Sequence, residues 1–200
     1  PSGAGYTRNA PHSVLSIAVD SLDSDAPRTR PDIVTGTRAA ATGNFFVWFN
    51  QNSSGNEGYL PATFSAGQNY WTQDAGDVTS VLTLDCSGGG MPDMIVGTRS
   101  PVSGRGTVEI WENSDAATPT FTRQEIYPIA GGVPGSTMGE VTGMVLADFD
   151  GDGRKDLAVV TKTASYTGEL LVFLNVGRTN GARFVYAYGR SFWLDAPTCI

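Results

Sequence analysis

The chain repeats itself three times. Pro31-Asp-Ile-Val-Thr-Gly-Thr-Arg38, Pro92-Asp-Met-Ile-Val-Gly-Thr-Arg99 and Lys155-Asp-Leu-Ala-Val-Val-Thr-Lys162 align without gaps. Their aspartates Asp32, Asp93 and Asp156 stand 61 and 63 residues apart. A second landmark follows in each copy: Phe45-Phe-Val-Trp-Phe-Asn50, Val108-Glu-Ile-Trp-Glu-Asn113 and Leu170-Leu-Val-Phe-Leu-Asn175. A third precedes it: Ile17-Ala-Val-Asp20, Leu82-Thr-Leu-Asp85 and Val145-Leu-Ala-Asp148. Three landmarks in one order at one period set chance aside. They restrict the chain to an array of like units.

Each unit reads as strand, acidic loop, strand, glycine-containing turn, strand, then a weaker fourth strand near Phe64, Phe121 and Phe184. The strand segments are short, rich in Val, Ile, Leu, Thr and aromatics, and bounded by Gly, Pro, Asp and Ser. The third strand is apolar on nearly every residue in copies one and three, as a sheet covered on both faces requires. Trp48, Trp111 and Phe173 share one repeat position, suited to the layer between neighbouring sheets. No segment carries a helical stripe. The expected fold is all-β and β-propeller-type, with three four-stranded antiparallel blades at 13–75, 76–138 and 139–200 after a lead-in over 1–12. A blade usually repeats every 40–50 residues or so. The longer period here places the excess in loops at Gln51–Tyr59, Gly67–Asp77 and Gly131–Glu140. Shorter coils would be needed for a β-helix, and a sandwich would not repeat in this way. Propellers commonly hold about four to eight blades. Three blades therefore imply a longer propeller or self-association that covers the end faces.

The third acidic loop reads Asp148-Phe-Asp150-Gly-Asp152-Gly-Arg154-Lys-Asp156. Carboxylates at positions one, three, five and nine, with the Arg154 carbonyl at seven, converge on one point, and the two glycines allow a tight curl. Calcium takes about six to eight hard oxygen ligands in flexible geometry. The loop opens like an EF-hand, but position twelve is Val159 in place of a bidentate Glu, and a strand follows, so that motif is set aside. The second loop keeps Asp85 and Asp93 but has Ser87 and Gly89 where carboxylates would stand, which favours a rigid glycine turn. The first holds four aspartates, Asp20, Asp23, Asp25 and Asp32, with four residues inserted. It is either a weaker cation site or a solvated acidic loop partly neutralised by Arg28 and Arg30.

An apolar strand, then D-x-D-G-D-G-x-x-D, then Asp-Leu-Ala-Val-Val, then Gly168-Glu-Leu-Leu-Val-Phe-Leu-Asn175 resembles the FG-GAP/VCBS repeat of integrin α-chain propellers and bacterial secreted proteins. The resemblance spans the chain in three units and is most specific in the third. It implies a blade with calcium between its first two strands, held by Asp148, Asp150, Asp152, Arg154 and Asp156. It also implies an extracellular or periplasmic setting.

Composition narrows the rest. The formal charge is −7, and only two of the thirteen basic residues are lysines. That balance disfavours nucleic acid, which rewards clustered cations. No run of about 18 apolar residues exists to span a membrane. The single histidine, His12, has no placed nucleophile, and every dense carboxylate pair is better explained by a cation than by glycoside hydrolysis. Asn52-Ser-Ser54 is a glycosylation sequon, and Cys86 and Cys199 could form one disulfide. Tyr59, Tyr70, Trp71 and Trp193 fall in or near loops, where they either stack on a ligand or pack between blades. The expected function is therefore non-catalytic. It is a calcium-binding extracytoplasmic module for adhesion, ligand binding or scaffolding, meeting a protein or glycan through loops. The alternatives are a propeller domain of a secreted polysaccharide-acting enzyme, or a self-assembling subunit of a filament or surface layer.

Overall fold

A computed structural model describes residues 13–24, 30–38, 43–51, 64–73, 76–100, 103–128, 139–162, 167–179 and 182–193. The lead-in 1–12 with His12, and Asp25, Arg28, Asn52, Tyr59, segment 131–138, Cys199 and the Trp193 side chain lie outside the described residues.

The chain forms three four-stranded antiparallel sheets, each from consecutive strands in sequence order. Blade 1 comprises β1 (Ser13–Asp20), β2 (Asp32–Arg38), β3 (Asn44–Trp48) and β4 (Gln68–Trp71). Blade 2 comprises β5 (Asp77–Leu84), β6 (Asp93–Arg99), β7 (Thr107–Asn113) and β8 (Phe121–Pro128). Blade 3 comprises β9 (Glu140–Ala147), β10 (Asp156–Lys162), β11 (Thr167–Thr179) and β12 (Ala182–Trp193). No helix occurs among the described residues, and none is long and apolar enough to cross a membrane. The sheets are the blades expected of a propeller-type fold.

Two apolar layers hold the blades face to face. Val34, Phe45 and Val47 of blade 1 close on Val78, Val81 and Met94 of blade 2. Ile95, Val108 and Ile110 of blade 2 close on Val141, Leu157 and Val159 of blade 3. Alternation along each strand produces this division, because side chains two apart share a face. Ile33 and Thr35 thus point away from blade 2 while Val34 and Gly36 point into it. Aromatics fill both layers. Phe45 stacks on Tyr70 with centroids 5.2 Å apart and meets the edge of Trp111 at 5.1 Å. Tyr127 meets Phe173 at 5.9 Å in the second layer. Trp111 and Phe173 therefore do sit between sheets. Trp48, at the same repeat position, lines an open groove with Phe64.

A charged contact crosses the second layer. Arg183 is almost fully buried, 2.8 Å from Glu112 and 3.3 Å from Glu125. Burial works against its charge, but the Glu112 hydrogen bond and the two carboxylates outweigh that and raise its pKa.

The fourth strand of blade 1 corrects the sequence reading. Phe64 makes only an isolated bridge to Asn50, whereas the paired strand is Gln68–Trp71, inside a segment expected to be loop. Tyr70 explains the difference. It pairs with Phe45 as Tyr127 pairs with Val108, and its partly buried ring packs against the first core layer. Its polar neighbours Gln68 and Asn69 hide the strand from a search for apolar runs. Trp71 is on the opposite side of the strand and is exposed.

Candidate metal centre

The repeated aspartate after each acidic loop is a backbone clamp. Asp32, Asp93 and Asp156 are fully buried. One carboxylate oxygen of each accepts a loop N–H: Leu22 at 2.8 Å, Cys86 at 2.9 Å and Phe149 at 2.7 Å respectively. The other accepts the N–H of the asparagine that ends the third-strand landmark: Asn50 at 2.8 Å, Asn113 at 2.9 Å and Asn175 at 2.8 Å. Those asparagines donate back through Nδ2 to the carbonyls of Pro31, Pro92 and Lys155. Buried backbone donors need partners, and this exchange supplies them at a place where the ladder stops. Burial pushes the Asp93 carboxyl pKa up, against the lowering effect of the N–H groups of Asn113, Ser87 and Cys86.

The loops of blades 2 and 3 have one backbone shape. Asp148 accepts from Gly151 at 2.7 Å and Gly153 at 2.9 Å; Asp85 accepts from Gly88 at 2.7 Å and Gly90 at 3.0 Å. Gly151 and Gly153 have φ of 82° and 89°, and Gly88 and Gly90 have 77° and 101°, a region that disfavours side chains. What hangs on that backbone differs. In blade 3, Asp148, Asp150 and Asp156 each bring a carboxylate oxygen within 4.8 Å of the others. Among the described residues no other trio of potential ligands converges in this way. Asp20, Asp23 and Asp32 of the first loop do not, although Asp20 and Asp32 still bind its backbone.

Asp152 stands beside the trio. One of its oxygens accepts the Arg154 N–H at 2.8 Å, and the other pairs with the Arg154 guanidinium. The Arg154 Nε also donates to the Asn175 carbonyl at 2.7 Å. The aspartate at position five thereby ties the loop to the end of the third-strand landmark.

The residue missed by spacing is Asp115. In blade 2, position five of the loop is Gly89, and a Cβ there would fall 1.8 Å from Asp115 Oδ2. Asp115 accepts the Met91 N–H at 3.2 Å, the bond that Asp152 accepts from Arg154 in blade 3. Asp115 follows Asn113 by two residues and bonds its Oδ1, as Gly177 does with Asn175. Both sit at positive φ, 55° and 67°. Blade 2 thus pairs Gly89 with Asp115, and blade 3 pairs Asp152 with Gly177. A carboxylate from a different part of the chain accepts the same loop N–H in each blade. The only sequence signal was Asp115 following the asparagine landmark.

Cys86 is buried with a free thiol. It takes the loop position held by Leu22 in blade 1, also buried, and by Phe149 in blade 3, which is exposed.

Three clustered carboxylates, all hard oxygen donors, fit a divalent cation of the calcium or magnesium type. None of the curated proteins compared with the chain matches it. Residues 85–159 run from the second acidic loop through β6–β9 and the third loop into β10. They match the family model described as an FG-GAP-like repeat.

Proposed function

We propose that the chain is a non-catalytic, calcium-binding β-propeller-type module that works outside the cytoplasm in adhesion, ligand binding or scaffolding. The observation that carries the calcium reading is the convergence of Asp148, Asp150 and Asp156. FG-GAP repeats are often calcium-binding and generally mediate protein interactions, which supports both halves of the reading.

The physical role of the ion follows from the clamp. Three carboxylates this close repel one another, most strongly at low ionic strength. A bound calcium supplies compensating charge. Asp148 and Asp150 offer exposed oxygens, and Asp156 offers lone pairs left over from its two N–H bonds. Asp152 and the Arg154 carbonyl complete the donor set that the family resemblance implies. Because Asp156 also holds Phe149 and Asn175, a cation here joins the loop to the second and third strands of its blade. Calcium thereby stabilises the native blade by mass action, in proportion to the logarithm of its concentration over Kd.

Isothermal titration of chelator-treated protein with calcium tests this. One equivalent should bind, and saturation at about a hundred times Kd should add about 2.7 kcal/mol of stability, visible as a rise in Tm. Asp150→Ala should remove both the heat and the rise. A wild-type chain that shows neither heat nor a Tm change in millimolar calcium would sink the reading.

A further inference from the structure

The two interfaces inside the chain are built alike. Let the leading face of a blade be the one towards the preceding blade, and the trailing face the one towards the next. Val78, on the leading face of blade 2, lies over Gly36, where an added Cβ would fall 2.5 Å from Val78 Cγ1. Val141, on the leading face of blade 3, lies over Gly97, where a Cβ would fall 2.7 Å from Val141 Cγ1. Both valines are fully buried. Both sit at a register shift near the start of their strand. A polar latch accompanies each: Ser16 Oγ donates to the Val78 carbonyl at 3.4 Å, and Thr79 Oγ1 to the Val141 carbonyl at 2.7 Å. Asp77, which opens blade 2, also pairs with Arg38 of blade 1 at 3.4 Å.

The ends of the chain break this pattern. Val14 holds the register position of Val78 and Val141 but is 59% exposed. With Ile17, Ile33, Thr35, Trp48 and Phe64 it lines an apolar groove on the leading face of blade 1. On the trailing face of blade 3, the position of Gly36 and Gly97 is taken by Val160, opposite Gly143 as those glycines stand opposite Ser16 and Ser80. Val160 is 43% exposed. Placing Val14 of one copy on Val160 of another would put two branched side chains where the interior interfaces hold one, and close-packed interfaces do not absorb that. The charge pairing fails as well. Ser13 opens blade 1, at the register position held by Asp77 and Glu140 in the later blades.

We propose that the groove of blade 1 receives a partner blade carrying glycine where Gly36 and Gly97 stand, and that Val160 excludes this chain's own third blade from it. The partner is a four-stranded unit of the same type, with its glycine beneath Val14. Copies of this chain then neither stack head to tail nor close into a ring by blade-to-blade packing. The inference stands on packing and is independent of the calcium reading.

Sedimentation velocity over a wide concentration range, in calcium-containing buffer, tests it. The probe is the chain itself with the partner's glycine placed in its third blade and the charge of Asp77 placed at the groove of its first, the variant Ser13→Asp/Val160→Gly. This variant should associate at least about tenfold more tightly than wild type, and adding Val14→Asp should reverse the gain. Wild type and Val14→Asp should sediment alike at every concentration. Failure of Ser13→Asp/Val160→Gly, folded by circular dichroism, to associate would overturn the proposal. So would wild-type association that Val14→Asp removes. If the double variant does not fold, the wild-type comparison still decides: association lost on Val14→Asp overturns the proposal, and identical sedimentation supports it.

Discussion

Asp156 shows two functions layered on one residue. Its place in the repeat was legible in the sequence, and so was its kinship with Asp32 and Asp93. Residue type alone does not reveal that both of its oxygens already accept backbone N–H groups, because that depends on where the third strand ends in space. Tyr70 and Trp71 illustrate the same limit. Adjacent in sequence, they lie on opposite faces of β4, one in the core layer and one in solvent. Tyr70→Ala should cost about 2–3 kcal/mol in urea denaturation through lost aromatic packing, whereas Trp71→Ala should stay within about 0.5 kcal/mol. Equal effects would mean that the register of β4 is wrong. Cys86 allows a chemical test. Burial pushes its thiol pKa well above the usual value, with Asp93 adding to the rise and Arg183 partly opposing it. Only the thiolate alkylates, so iodoacetamide at about pH 8 should spare the Cys86 peptide in folded protein and modify it readily in denaturant. Rapid modification of the folded chain would show that this layer is open.

At the scale of the element, the acidic loop is a backbone form with interchangeable contents. Strands, glycine positions and loop length were all legible, since each follows from local chemistry that repeats. The reciprocal exchange of Gly89 and Asp115 for Asp152 and Gly177 was not, because its two halves lie 26 residues apart in blade 2 and meet only after β6 and β7 have paired. The exchange has an experimental consequence. Restoring the aspartate missing from the second loop by Gly89→Asp alone should create no calcium site, because Asp115 already fills that space. It should instead destabilise the chain by about 1–3 kcal/mol through overpacking and like-charge contact. Adding Asp115→Gly should recover most of that loss. Titration calorimetry showing a second calcium equivalent in Gly89→Asp alone would refute this account of the loop.

Across the whole molecule, stability rests on how closely each blade's first strand can approach the second strand of the blade before it. The sequence showed the blades but not the approach, since Gly36 and Gly97 read as strand glycines with no stated reason for being small. The structure supplies the reason, and blade 3 supplies an internal control. A Cβ at Gly97 would lie 2.7 Å from Val141 Cγ1 and 3.1 Å from Met144 Sδ, with blade 3 behind them. A Cβ at Gly143, on the trailing face of blade 3, meets nothing within 4 Å. Gly97→Ala must therefore push blade 3 away from blade 2, and should cost about 1–3 kcal/mol. Gly143→Ala gains strand propensity with no contact to disturb, and should stabilise by up to about 0.5–1 kcal/mol. Two identical substitutions in neighbouring strands, expected to move Tm in opposite directions, separate blade packing from any general intolerance of side chains at these glycines. Thermal unfolding of both variants in calcium-saturated buffer makes the comparison, because the third loop is then equally occupied. If Gly97→Ala melts no lower than wild type, the close approach of Val141 is not what holds the second and third blades together.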